Sequence, residues 1–251
     1  MTLPSRTPLV LVHGNPETSA IWSPLLRQLD RADAVCLSPP GFGAPLPEGF
    51  DASPAGYRDW LAECLGMFRT PVDLVGHDIG GDLVFAVART CPRLVRSWVS
   101  DTLGAHAPTY DWHPLAKLWR TPKAGEEWIK TMVEAPLAAR VEALSGWGVS
   151  GPIAERLAAA VDSDMGRAIL SFYRSARLAA DGPSAAVAVP GLALVAVEDT
   201  MVGTPDMHRE IAKAAGAQVA ELANANHWWM VHDPAQAATV ISDFWRDLSR
   251  G

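Results

Sequence analysis

The segment Val72–Gly81, with the sequence VDLVGHDIGG, constrains the fold more than any other part of the chain. A short apolar run leads into Gly-x-Asp-x-Gly, and a helical pattern over Gly81–Arg89 follows without a loop. Glycines two residues either side of Asp78 permit a strained turn that lifts the central side chain above a sheet edge. The segment predicts a strand–turn–helix unit with Asp78 at its corner. Alternatively, Asp78 only caps the helix.

Short apolar runs alternate with helical patterns on both sides of this turn. The predicted strands are Pro8–Val12, Ala34–Leu37, Val72–Val75, Val95–Ser100, Leu192–Val197 and Gln218–Leu222. This alternation predicts an α/β fold with about six parallel strands covered by helices on both faces. Between residues 104 and 185 the pattern is helical only, which places inserted helices over the carboxyl ends of the strands, where such folds bind ligands.

Composition excludes several classes of protein. The 21 basic and 28 acidic residues give a net charge of −7, which argues against a nucleic-acid-binding surface. No apolar run approaches the roughly 18 residues of a membrane span. The three cysteines match no metal-ligand spacing, which favours reduced thiols and a cytoplasmic location. We expect a monomer or homodimer with no nucleic-acid or membrane partner.

Two further loops carry residues suited to catalysis. His13-Gly14-Asn15-Pro16 follows the first strand, and the backbone N–H groups of Asn15 and Ile79 are predicted to form an oxyanion hole. The segment Asn226–Met230 follows the last strand and carries His227, the predicted general base.

Together these motifs resemble the α/β-hydrolase fold superfamily, in particular its Asp-nucleophile branch of epoxide hydrolases and haloalkane or haloacetate dehalogenases. The resemblance implies a core domain of residues 1–103 and 186–251 and a helical cap domain of residues 104–185. Relatives usually begin with a β-hairpin, whereas only about seven residues precede the first strand here. The expected sheet therefore lacks the hairpin and is purely parallel.

The histidine needs a carboxylate to orient it and stabilise its cation. Asp199 lies in Glu198-Asp199-Thr200-Met201-Val202-Gly203, which resembles the family's E-D-x-x-V-G turn, and is the predicted triad acid. Asp101, at the end of the fourth strand, is the alternative because some relatives place their acid there.

An aspartate nucleophile changes the chemistry expected of the site. Displacement at an sp³ carbon by Asp78 gives an alkyl ester, which water activated by His227 can hydrolyse. Attack on an ester carbonyl would give a reactive anhydride, so esterase chemistry is disfavoured. The expected partners are a small apolar substrate and water, without a metal or an organic cofactor.

The leaving group depends on the donors that receive it. Ile79 stands where dehalogenases commonly carry Trp or Arg, whereas Tyr173 in SFYRS resembles the tyrosine of the family's cap and is the candidate ring-opening acid. The sequence thus favours hydrolysis of an epoxide to a diol. Candidates for a second donor are Tyr110, His106 and His113.

A dehalogenase remains the alternative, because Asn15 and Trp119 together can supply two halide donors. A non-catalytic ligand-binding protein of the same fold is a minor alternative, disfavoured because both Asp78 and His227 are present. The predicted substrate pocket includes His113, Trp119 and Trp228.

Overall fold

In the computed structural model, which describes residues 6–178 and 186–250, six strands form one sheet. They are β1 (Leu9–Val12), β2 (Val35–Leu37), β3 (Val72–Gly76), β4 (Val95–Ser100), β5 (Gly191–Ala196) and β6 (Gln218–Leu222). The strand order is β2-β1-β3-β4-β5-β6, and each neighbouring pair is parallel. The predicted six-stranded parallel sheet is confirmed.

Helices cover the sheet and fill the long insertion. They are α1 (Ser23–Leu29), α2 (Pro54–Gly66), α3 (Ile79–Thr90), α4 (Pro114–Arg120), α5 (Ala124–Glu134), α6 (Leu137–Gly146), α7 (Gly151–Ala159), α8 (Ser163–Ser175), α9 (Pro205–Ala215), α10 (Trp229–His232) and α11 (Pro234–Leu248). Proline stands in the first turn of α1, α2, α4, α7, α9 and α11. Its missing N–H costs nothing there and its fixed φ suits a helix start. No helix in the described ranges has both the length and the hydrophobicity needed to cross a membrane.

The core lies on both faces of the sheet because the side chains of each strand alternate between them. In β1, Val10 and Val12 face a cluster that contains residues of α2, α3 and α9. Leu9 and Leu11 face a second cluster with residues of α1 and α11. All four β1 side chains are buried, whereas the edge strand β2 is partly exposed.

The insertion carries α4–α8 and no strand over residues 104–178, as the sequence predicts. Helix α8 packs against α4 and α5, and α6 packs against α7. Residues 179–185, the end of the predicted cap, lie outside the described residues. The division into core and cap domains stays a prediction.

Candidate active site

Asp78 lies at the turn between β3 and α3, with φ 50° and ψ −128°. This is a left-handed conformation that costs a non-glycine residue energy and is typical of functional turns. The turn is tight: a Cβ on Gly80 would lie 2.2 Å from the carbonyl oxygen of Val12 in β1. The Asp78 side chain accepts no hydrogen bond from the helix that follows. The capping alternative is therefore wrong.

The Asp78 carboxylate instead contacts the loop after β1. Both the backbone N–H and the side-chain Nδ2 of Asn15 donate to Oδ2, each at 2.9 Å. Gly14 makes this approach possible, since a Cβ there would lie 2.4 Å from the Cβ of Asp78. The predicted second donor is the Ile79 N–H, but in the structure it is the side-chain amide of Asn15. Within the described residues the Ile79 N–H makes no hydrogen bond to the Asp78 carboxylate. Ile79's part in an oxyanion hole stays a prediction.

His227 pairs with Asp199, since its Nδ1 lies 2.7 Å from Asp199 Oδ2. The other oxygen of Asp199 accepts from the backbone N–H of Met201 at 2.7 Å. Burial opposes the charge on both side chains, but their attraction prevails, raising the pKa of His227 and lowering that of Asp199. Asp199 therefore has the geometry of the acid in a triad.

Asp101, the alternative acid, contacts a different histidine. Its Oδ2 lies 2.5 Å from Nδ1 of His77, and its Oδ1 accepts from the backbone N–H of Asp78 at 3.0 Å. The Nε2 of His77 lies 3.1 Å from Oε1 of Glu17. A histidine between two carboxylates carries a proton on each nitrogen, and so it cannot act as a base.

Glu17, His77 and Asp101 form a buried cluster of charges, hereafter the ionic cluster. Burial favours the neutral form of His77, but the charges of Glu17 and Asp101 outweigh it and hold the His77 pKa well above its usual range. Burial would likewise raise the pKa of Glu17, yet His77 lowers it to about 2. Glu17 directly follows the His13–Pro16 motif and His77 lies beside Asp78, but nothing in their spacing identifies the two as partners.

Two tryptophans that follow His227 donate hydrogen bonds to the ionic cluster. Trp228 Nε1 donates to Glu17 Oε1 at 2.7 Å, and Trp229 Nε1 donates to Asp101 Oδ2 at 2.6 Å. The His77 and His227 rings lie 4.6 Å apart between centroids. The cluster therefore joins the loop of the base to the turn of Asp78. Sequence reasoning placed Trp228 in the substrate pocket and missed Trp229.

Tyr173, from α8, reaches the same Asn15 amide as Asp78. Its hydroxyl oxygen accepts from Asn15 Nδ2 at 3.1 Å, and its ring lies 4.7 Å from that of Trp119. Burial raises the Tyr173 pKa well above its usual range, so the hydroxyl is protonated at neutral pH. Its proton finds no acceptor among the described side chains and backbone groups. The structure thus brings Asp78, Asn15 and Tyr173 together.

Two other candidate proton donors, Tyr110 and His106, contact groups other than Asp78. The hydroxyl of Tyr110 donates to the carbonyl of Met201 at 2.7 Å. His106 Nε2 lies 2.8 Å from Oδ1 of Asp82 as an ion pair, but it makes no hydrogen bond within the described residues. The Tyr110 hydrogen is therefore already used, and His106 lies against a carboxylate other than Asp78.

His113 and Trp119 keep an N–H group available. Nδ1 of His113 accepts from the Ala116 N–H at 3.3 Å, which leaves the ring hydrogen on Nε2. Burial and the nearby His227 lower the His113 pKa to about 4, so the ring is neutral at pH 7. Trp119 is 2% exposed, and its Nε1–H has no partner within the described part of the chain.

Two cavities meet at Asp78. The larger, about 280 Å³, is lined by Asp78, Ile79, Tyr110, His113, Phe172 and Tyr173, among others. The smaller, about 20 Å³, is lined by Asn15, Asp78, His113, Trp119, His227 and Trp228, among others. The predicted pocket residues His113, Trp119 and Trp228 all border the smaller cavity. The carboxylate of Asp78, the ring of His227 and several donors therefore line adjoining cavities.

A model of the alpha/beta hydrolase family matches residues 9–240. The chain belongs to this family. Its predicted α/β-hydrolase fold is confirmed. A curated relative, an uncharacterized protein of Synechocystis sp., is 32% identical over 110 residues, which are 44% of this chain and 42% of that protein. The match thus spans less than half of the relative.

Solved structures show the same fold. A haloalkane dehalogenase loop variant from Bradyrhizobium elkanii has a TM-score of 0.69 and 20% identity, covering 97% of this chain and 92% of that one. An N-formylmaleamic acid deformylase from Pseudomonas putida has a TM-score of 0.72 and 16% identity, covering 94% and 92%. The carboxylesterase CesB from Bacillus subtilis has a TM-score of 0.65 and 19% identity, covering 96% and 85%. At these identities the likeness extends to the fold alone.

Proposed function

We propose that this α/β-hydrolase hydrolyses an apolar epoxide to a diol through a covalent ester on Asp78. The observation that carries the proposal is that Tyr173 and Asp78 share one donor, Nδ2 of Asn15. This arrangement holds a phenol with a free proton beside a carboxylate. Epoxide opening needs both groups, because a nucleophile attacks carbon while an acid protonates the departing oxygen.

The contacts of Asp78 distinguish its two oxygens. Oδ2 accepts both Asn15 bonds, whereas Oδ1 accepts none from the described residues. In the proposed first step Oδ1 attacks a ring carbon, the carbon–oxygen bond of the epoxide breaks, and the ring oxygen takes the Tyr173 proton. The products are a hydroxyalkyl ester of Asp78 and a phenolate.

The second step uses His227 and Asp199. His227 takes a proton from a water molecule as the oxygen of that water attacks Cγ of Asp78. The two Asn15 donors stabilise the negative charge that forms on Oδ2. Collapse expels the alkoxide, which takes the proton from His227 and leaves as the diol. The proton of the carboxylic acid left on Asp78 returns to the Tyr173 phenolate. The sum is epoxide plus water giving diol.

The neutral His113 is the proposed second donor to the ring oxygen. It borders both cavities at Asp78 and carries its hydrogen on Nε2, whereas Tyr110 donates to the Met201 carbonyl and His106 lies beside the Asp82 carboxylate. We also propose a cytoplasmic location, because Cys36, Cys64 and Cys91 form no disulfide, as is usual for proteins there.

Hydrolytic dehalogenation is the second candidate, favoured by Trp119. Its buried Nε1–H, which has no partner among the described residues, borders the cavity next to Asp78, where a halide needs donors. With the Asn15 amide it would complete a two-donor halide site. A binding protein without catalysis is the third candidate, and an ester on Asp78 would exclude it.

The test combines epoxides and 1-haloalkanes with intact-protein and peptide mass spectrometry of Asp78. We expect an ester with epoxides, and diol formation that falls at least about tenfold in Tyr173→Phe, because loss of a general acid typically lowers the rate by about 10²–10⁴. Tyr57→Phe is the matched control, since the Tyr57 hydroxyl donates to the carbonyl of Pro40 away from the site. Halide release without any diol, lowered by Trp119→Phe, would establish the dehalogenase instead.

A further inference from the structure

A groove of about 220 Å³ runs between α5 and α6. Its walls are formed largely by apolar side chains, which are Trp128, Met132, Ala139, Ala143, Leu144 and Trp147. Ala139 and Ala143 are exposed, so the groove opens to solvent along α6, and the buried Pro16 also lines it.

The hydroxyl and guanidinium groups in the wall are already bound to the backbone. Thr131 Oγ1 donates to the carbonyl of Glu127 at 2.9 Å. Arg140 donates through Nε, Nη1 and Nη2 to the carbonyl oxygens of Ala135, Ala158, Val161 and Val133. The Arg140 guanidinium is thus hydrogen-bonded to backbone carbonyl oxygens of the insertion. An occupant of this groove gains from burying hydrocarbon and would leave polar groups unpaired.

The groove adjoins the small cavity beside the candidate nucleophile, Asp78. Pro16 and Trp147 line both the groove and the small cavity that contains Asp78 and His227. Pro16 directly follows Asn15, whose amide binds Asp78. Trp147 stacks on Trp228 with centroids 5.6 Å apart and planes 4° from parallel. Trp147 therefore lines the groove and contacts Trp228, which lines the small cavity.

We propose that the groove binds the unbranched alkyl chain of the substrate, with the reacting carbon held at Asp78. The inference rests on the proposed alkyl-ester chemistry and narrows its substrate to medium-chain terminal epoxides. The groove of about 220 Å³ has room for a chain of several methylenes, since a group the size of a water molecule needs roughly 10–15 Å³ of such space. A volume this small, which shares Pro16 and Trp147 with the catalytic cavity, suits a chain better than a second protein surface.

A series of 1,2-epoxyalkanes from epoxybutane to epoxydodecane tests the substrate class. We expect kcat/KM to rise about two- to fourfold for each added methylene, the factor that corresponds to the free energy of burying one such group. The rise should level off when the groove is full. Ala143→Trp fills the groove and is expected to abolish this rise while epoxybutane turnover persists. Ala138→Trp, at an exposed position of the same helix outside the groove, is the matched control.

Calorimetry with 1,2-alkanediols of the same lengths keeps the two proposals separate, because product binding requires no ester. We expect diol affinity to rise with chain length in the wild type and Ala138→Trp, but not in Ala143→Trp. Diol affinity that is independent of chain length, or a rise that survives Ala143→Trp, would overturn the groove proposal. A chain-length dependence without any ester on Asp78 would support the groove and refute the epoxide mechanism.

Discussion

Nδ1 of His77 lies 2.5 Å from Oδ2 of Asp101, and both side chains are buried. His77 directly precedes Asp78, the proposed nucleophile. With Glu17 on its other nitrogen, His77 is held as a cation by two carboxylates. The pairing gives this histidine a structural role and leaves His227 as the proposed base. It also makes the charge on His77 necessary for the stability of the fold.

Replacement of His77 by Gln is expected to destabilise the protein by about 3–5 kcal/mol, because it leaves two buried carboxylates without their counter-charge. The double variant Glu17→Gln/His77→Gln removes one of these charges together with the cation. We expect it to be more stable than His77→Gln alone. Urea denaturation of both variants measures the difference, and a double variant less stable than the single one would contradict a charged His77.

Asp199→Asn and Asp101→Asn are expected to fail in different ways. Asp199 contacts the base, so its loss should lower turnover by about 10³–10⁴, as in other acid–histidine pairs, with little loss of stability. Asp101 accepts from the Asp78 N–H, His77 and Trp229, so its loss should mainly lower the free energy of unfolding. Turnover and urea denaturation measured on both variants separate the roles. The reverse pattern would make Asp101 the triad acid.

Asp78→Asn and His227→Gln are expected to stop the reaction at different steps. Without the carboxylate no ester forms, whereas without the base the ester forms and accumulates. Rapid-quench measurements on His227→Gln should show a burst equal to the enzyme concentration followed by very slow turnover. Loss of the burst would mean that His227 also acts in the first step. Mass analysis of Asp78→Asn excludes deamidation back to Asp.

The rate of ester hydrolysis is expected to rise with pH, since only neutral His227 can take a proton from water. Asp199 raises the His227 pKa above its usual 6.5 against the effects of burial and of the cation on His77, so the midpoint of this rise should lie above 6.5. Asp199→Asn removes that negative charge and should move the midpoint to lower pH. Single-turnover decay of the pre-formed ester across the neutral range measures both. A midpoint unmoved by Asp199→Asn would show that another group controls the step.

The sequence determined the sheet and the order of its loops. Strands buried on both faces read as apolar runs, and helices of period 3.6 separate them, so the parallel topology follows from local pattern. The glycines around Asp78 are likewise a local signal, because close backbone contacts tolerate no Cβ there. The pairing of His227 with Asp199, which the resemblance implied, is reproduced in the geometry.

Only the tertiary structure decided which distant side chains share a contact. Asn15 and Tyr173 are 158 residues apart, and Glu17 and Trp228 are 211 apart, separations over which sequence spacing carries no information on distance. The structure also shows that Asp101 pairs with His77, because the carboxyl ends of β3 and β4 lie side by side. The loop after β5 instead carries Asp199 to His227. Whether a carboxylate stabilises the fold or orients the base depends on that packing, which the residue types alone leave open.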